Sequence, residues 1–172
     1  MKIETIETAR LFLRSFTKED ARFAISIWND PEMGEYLADA AMEEIDEAYL
    51  KEIEELENDG ICAYLIAESQ ENHEHIGTCS FIPREDGTSY DIAYCVQKMH
   101  WRKGFATEMV QGMIDYAKAH GARKITVCVD KKNVASNAVV RKFGFVVAEE
   151  SEYKKRGTDE MCADYKYELK CN

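Results

Sequence analysis

The chain has almost no proline: Pro31 and Pro83 are the two it carries. A proline-rich linker is excluded, and no repeat or low-complexity tract marks an internal boundary. There is no Cys-x-x-Cys pair, so the six cysteines do not spell a zinc ribbon or a dithiol redox motif. Cys62, Cys79, Cys95 and Cys128 lie inside apolar runs and are expected to be buried free thiols of a reducing compartment. No segment approaches the length of a membrane span, and MKIETIETARLFLR lacks the apolar centre of a signal peptide. The expectation is a cytoplasmic protein without membrane contact. Cations are scarce too, with 22 Lys and Arg against 33 Asp and Glu and a net charge of −11. The one basic cluster, YKKR from Tyr153 to Arg156, is too small for a nucleic-acid face. The acidic excess suits cationic small molecules or basic peptides, or serves solubility alone.

What is present fits one ordered domain over residues 1–172, with 45% hydrophobic content and ample length for a core. ARLFLRSF alternates as a strand, with Leu11 and Leu13 on one side. Thr17 is a plausible N-cap, with Asp20 three residues on, for a helix running toward Trp28 and stopping near Asn29. Met42, Ile45, Tyr49, Ile53 and Leu56 form a helical stripe that Gly60 ends. CAYLIAE, IGTCSFI and YDIAYCV read as neighbouring antiparallel strands joined by polar turns. A helix follows through Met109, Val110, Met113, Ile114 and Ala117 to Gly121. Then come the strand KITVCV, a short helix in NVASNAVVRKFGF ended by Gly144, and the strands FVVAEESEY and CADYKYEL. That order describes an α+β, or mixed α/β, domain around a single sheet.

HWRKGFATEM joins YDIAYCV to the longest helix. A helix start leaves backbone N–H groups unpaired and carries the positive end of the dipole, a combination that binds phosphates. Gly104 lets the backbone approach such a ligand. The segment lacks the Gly-Lys-Ser/Thr of a P-loop and the further glycine and acidic residue of a dinucleotide fingerprint.

In the order YDIAYCV, WRKGFATEM, NVASNAVVRKFGFV, the chain resembles the GNAT superfamily of acyl-CoA-dependent N-acetyltransferases. It is most similar to the branch that acetylates ribosomal-protein N-termini, whose opening strand and helix TARLFLRSFTKEDA resembles. The loop has the form R/Q-x-x-G-x-G/A, except that Trp101 stands where Arg or Gln is usual. The resemblance implies a mostly antiparallel sheet with a splayed pair of strands, helices on both faces, and acetyl-CoA as cosubstrate without a metal. Arg102, Lys103, Gly104, Phe105, Ala106 and Thr107 would hold the pyrophosphate. Cys95 and Val96 would offer main-chain groups to the pantetheine arm, and Asn133 and Ser136 would meet its thioester end. Helix capping is the ordinary alternative for Asn133 and Ser136.

Direct transfer to an amine requires removal of a proton, stabilisation of an oxyanion and a proton for the departing thiolate. The Val96 N–H is the candidate oxyanion donor. Many family members take the thiolate's proton from a tyrosine at the place of Val140, so Ser136 is the expected substitute. Asp91 is the candidate base: it stands in an otherwise apolar strand, where relatives often have glutamate, and would act through water. Its alternative is a solvated sheet edge. His73 and His75 resemble a metal pair but lack further ligands and read as loop residues. Trp28, Met33 and Tyr36 are candidates for the acceptor pocket, with core packing the alternative for Trp28. The acceptor is left open among a protein N-terminus, a polyamine and an antibiotic amine. A non-catalytic acyl-CoA sensor is the rival from another class. The protein is expected to be a monomer or homodimer.

Overall fold

The computed structural model describes residues 1–42, 44–84 and 86–171. In chain order its elements are β1 (Ile6–Glu7), β2 (Leu11–Ser15), α1 (Ala21–Trp28), α2 (Glu47–Glu54), β3 (Ala63–Ser69), β4 (His75–Pro83) and β5 (Ser89–Val96). They continue as α3 (Phe105–Ala119), β6 (Lys124–Asp130), α4 (Val134–Lys142), β7 (Val146–Lys154) and β8 (Met161–Lys170). The strands make one sheet of order β1-β2-β3-β4-β5-β6-β8-β7, in which β5 and β6 are the parallel pair. The expected order of elements is found, with the short strand β1 added in front.

Two apolar clusters fix which helix covers which face. Leu11, Leu13, Phe81, Ile92 and Ile125 pack under Met109, Val110, Met113 and Ala117 of α3 and Val140 of α4. The buried α3 residues recur at helical spacing, and each buried side chain of this size contributes about 1.5–3 kcal/mol. On the opposite face Ile66 packs with Phe16, Ala24, Ile25 and Ile53, the contribution of α1 and α2. At the start of α1 the Asp20 carboxylate accepts from both the N–H and the hydroxyl of Thr17, at 2.9 and 3.0 Å. A 3₁₀ turn over Lys18–Asp20 precedes the helix proper.

The feature that positions the site is a divergence of strands. β5 and β6 pair only at Ser89 with Lys124, Tyr90 with Ile125 and Asp91 with Thr126. Beyond Asp91, β5 stays on β4 as far as Val96 opposite Gly77, while β6 stays on β8 as far as Asp130 opposite Asp164. The sheet therefore opens between Ile92–Val96 and Val127–Asp130.

Three expectations need correction. Met42 and Ile45 lie outside α2 and are exposed, because Asp46 caps the helix by accepting the Tyr49 N–H at 2.8 Å. Cys128 is exposed and Cys95 only half-buried, although the other thiols expected in the core, Cys62 and Cys79, are buried. Cys128 alternates with buried Val127 and Val129 and so lies on the opposite face of β6, near the charges of Asp91, Asp164 and Lys166. His75 opens strand β4 and is not a loop residue; Arg14 approaches its Nε2 at 3.0 Å. His73 remains in the β3–β4 turn, with its Nδ1 2.7 Å from Glu68.

Candidate active site

The loop between β5 and α3 turns its backbone toward one side of the helix start. Arg102 and Gly104 both take left-handed backbone angles, φ +59° and +81°. Backbone of this kind turns successive N–H groups toward one side. The first α-helical bond of α3 runs from the Glu108 N–H to the Gly104 carbonyl at 3.1 Å. The N–H groups of Phe105, Ala106 and Thr107 are therefore the unpaired ones of the helix start. Arg102 and Lys103 are exposed and enter no ion pair among the described residues. Open donors and uncommitted cations together fit the pyrophosphate that the sequence anticipates.

A brace from β2 holds this loop. The Arg10 guanidinium pairs with Glu108 at 2.7 Å, donates to the Lys103 carbonyl at 3.2 Å and lies 4.3 Å from the centre of the Phe105 ring. Thr8 and the Arg10 N–H also donate to Glu108, at 2.7 and 2.6 Å. Burial alone would push the Glu108 carboxyl up, but these donors more than offset it and hold it below its ordinary value. A groove of about 680 Å³ adjoins the cradle at Gly104 and Thr107 and runs along α3 toward Lys142 and Phe143.

Cys95 and Val96 occupy the β5 edge of the opening, both half-buried. The Val96 carbonyl accepts the Trp101 indole N–H at 2.7 Å. Gly77 is dictated by proximity, since a Cβ there would stand 2.1 Å from the Cys95 carbonyl oxygen. Burial raises the Cys95 thiol to about 11, so it stays protonated near neutrality.

Across the opening, Asn133 caps α4 by accepting the Ser136 N–H at 3.0 Å. Buried Asn137 locks the turn below, donating to the carbonyls of Asp130 and Asn133 and accepting the Tyr167 hydroxyl at 2.7 Å. The Ser136 carbonyl accepts the Tyr94 hydroxyl at 3.4 Å, and the Ser136 side chain also lies within reach of that phenol. Val140 is fully buried.

Asp91 stands at the closed end of the opening, on the face shared with Ala93 and Cys95 by strand alternation. It accepts from the Thr126 hydroxyl at 2.6 Å and pairs with Arg84 at 3.2 Å. Four residues separate it from Cys95, roughly 13 Å along a strand. The nearby α1–α2 segment carries the acceptor candidates. Trp28 donates to Thr78 at 3.1 Å, and the Met33 sulfur accepts the Lys98 N–H at 3.1 Å. Burial raises the Tyr36 phenol, with Glu35 and Asp130 adding to the rise. The YKKR cluster fastens this segment down. Lys155 is buried and donates to the Glu35 carbonyl at 2.6 Å, and Arg156 pairs with Asp39.

The cradle, the β5 edge and the head of α4 thus surround one opening, and the α1–α2 segment approaches it from the other face of the sheet. Sequence reasoning missed Tyr94, which stands in the quoted strand YDIAYCV, and the Arg10–Glu108 brace, whose partners are 98 residues apart.

A family model described as an acetyltransferase (GNAT) domain matches residues 10–146. The chain is 32% identical over 148 residues to the uncharacterized N-acetyltransferase p20 of Bacillus licheniformis, covering 83% of each. It is 30% identical over 144 residues to the uncharacterized N-acetyltransferase YoaA of Bacillus subtilis, covering 81% of each. Among solved structures, RimL, a ribosomal L7/L12 α-N-protein acetyltransferase in complex with coenzyme A, aligns with TM-score 0.79 at 17% identity over 98% of both chains. The spermidine N-acetyltransferase of Vibrio cholerae, in complex with CoA and spermine, aligns with TM-score 0.80 at 20% identity over 93% of this chain and 95% of that one.

Proposed function

This chain belongs to the GNAT acetyltransferase family, and on that premise we propose that it moves an acetyl group directly from acetyl-CoA to an amine. The observation that carries this reading is the opened β5–β6 pair flanked by an anion cradle. The bound cosubstrate supplies an acyl group already activated as a thioester. All else falls to the chain.

Arg102, Lys103 and the first N–H groups of α3 bind the pyrophosphate. Val96 aligns the arm along the free edge of β5, where the Trp101 indole already marks its carbonyl as an acceptor, while the Cys95 main chain faces β4 and lines the arm only through its side chain. The Val96 N–H stabilises the oxyanion that forms as the amine adds. Asn133 and Ser136 contact the thioester end. Asp91 takes the ammonium proton through water, because its side chain stands too far along β5 for direct contact with a group at Val96. Trp28, Met33 and Tyr36 shape the acceptor's approach.

The acceptor is a cationic amine, either a peptide N-terminus or a small polycationic amine. The net charge of −11 favours cations of both kinds. RimL and the spermidine enzyme represent these two acceptor types within the same fold. A panel of N-terminal peptides, polyamines and antibiotic amines, assayed for release of the CoA thiol, tests the proposal. Amine-dependent release supports it, and acetyl-CoA that binds but never turns over contradicts it in favour of an acyl-CoA sensor.

A further inference from the structure

The proposed transfer leaves the departing sulfur without its usual donor. The family resemblance implies a tyrosine at the place of Val140, and the valine side chain is fully buried in the core between α4 and the sheet. A phenol nevertheless reaches the head of α4 from the opposite side. Tyr94 lies on β5 beyond Asp91, the last residue paired with β6, so no strand covers that edge of it. Alternation puts it with Ile92 and Val96 on the face covered by α3 and α4. Its hydroxyl lies 3.4 Å from the Ser136 carbonyl, at the long limit of a hydrogen bond, so a stronger acceptor in the cleft would displace that contact.

Resting on the transfer described above, we propose that the Tyr94 hydroxyl, rather than that of Ser136, donates the proton to the CoA sulfur as the C–S bond breaks. The amine nitrogen forms the new C–N bond, and the C–S electron pair leaves with sulfur. The Tyr94 O–H proton passes to that sulfur and yields the thiol. The proton shed by the newly formed amide nitrogen then returns to the phenolate through water, so protons and electrons balance. Two further observations agree. Burial pushes the Tyr94 phenol up to about 12, so it holds its proton throughout the neutral range. Ser136 presents its carbonyl to Tyr94, a backbone contact that Ser136→Ala retains while it removes the side-chain contact of the same pair.

The test is steady-state kinetics with the best amine from the panel, alongside calorimetry of acetyl-CoA binding. Tyr94→Phe should lower kcat by on the order of 10²-fold while the acetyl-CoA Kd stays within about twofold. Ser136→Ala should cost less than about tenfold, mainly in KM for acetyl-CoA. Tyr90→Phe, on the same face of β5 nearer its start, is the control and should match the wild type. A ring-fluorinated tyrosine at position 94 keeps the shape but acidifies the phenol. It should bring an alkaline limb of kcat down into the measurable range, which no packing role would do; it also serves if Tyr94→Phe does not fold. A Tyr94→Phe kcat within about threefold of wild type, or a pH profile unmoved by fluorination, overturns the role of Tyr94 and leaves the transferase reading standing. A wild-type protein without turnover on any amine overturns that reading and this step with it.

Discussion

Glu108→Gln changes one atom, yet it strikes the brace on which the anion cradle rests. Three donors converge on the carboxylate: the Thr8 hydroxyl, the Arg10 N–H and the Arg10 guanidinium, at 2.6–2.7 Å. The Glu108 side chain is only 14% exposed, whereas Arg10 is 49% exposed. Glutamine keeps one acceptor oxygen, so either the Thr8 and Arg10 N–H pair or the guanidinium must lose its partner. An amide NH₂ turned toward the guanidinium also sets donor against donor. A hydrogen bond to a charged group contributes about 1.5–3 kcal/mol. With Arg10 half in water, the lower part of that range applies, about 1.5–2 kcal/mol. For a domain of this size that is a fall in Tm of roughly 3–8 °C. Arg10 also holds the Lys103 carbonyl and stacks on Phe105, so the freed guanidinium loosens the cradle and acetyl-CoA affinity should fall several-fold. Urea unfolding and calorimetry on both proteins measure the two effects. Stability unchanged within about 0.5 kcal/mol, together with unchanged affinity, would refute the brace.

Gly77→Ala should be among the most damaging single-methyl changes, because its Cβ would stand 2.1 Å from the Cys95 carbonyl and backbone cannot rotate away. Overpacking costs about 1–3 kcal/mol, and wild-type stability in urea would contradict the close approach. Asp20 is pushed up by burial but drawn further down by Arg14 and Thr17, so its carboxyl titrates below the ordinary value. Its contribution is therefore present above the unfolded value of about 3.9 and lost as pH falls through the lower folded one. The stability gap between wild type and Asp20→Asn should hold from neutrality to about pH 5 and shrink below about pH 4; a gap that widens in acid would reverse the sign of this argument. Asp91→Asn should depress kcat/KM most at low pH and recover partly as pH rises, since more of the amine is then already neutral. Overlapping pH profiles would remove Asp91 as the base.

Much of this was legible where local pattern and partner coincide. NVASN reads as a capped helix start, and Asn133 does accept the Ser136 N–H. WRKGFATEM reads as a glycine-led helix start, and Gly104 does sit at positive φ before α3. The reading failed where a cap, a strand face or a distant partner decides the outcome. Met42 and Ile45 continue the stripe of Tyr49 and Ile53, but Asp46 starts the helix later and periodicity does not weigh a cap. Cys128 belongs to an apolar run, but strand alternation puts it on the face opposite buried Val127 and Val129. YKKR reads only as a cluster too small for a nucleic-acid face; that Lys155 and Arg156 hold a segment more than 100 residues earlier is not visible in it. Tyr94 resembles any strand aromatic until α4 brings the Ser136 carbonyl to its hydroxyl.

The central claim is that acetyl-CoA, bound at the cradle around Gly104, gives its acetyl group directly to an amine. Thiol release across the amine panel, with wild type and Gly104→Ala compared side by side, tests it most directly. A side chain at φ +81° costs about 1–2 kcal/mol; the empty loop sheds that strain by leaving this conformation, and regaining it on binding lowers acetyl-CoA affinity by roughly 5–30-fold. Thiol release should occur only when an amine is present, in step with its acetylation, and Gly104→Ala should show a higher acetyl-CoA KM. Release that ignores the amine, or a Gly104→Ala protein with the wild-type KM, would contradict the claim.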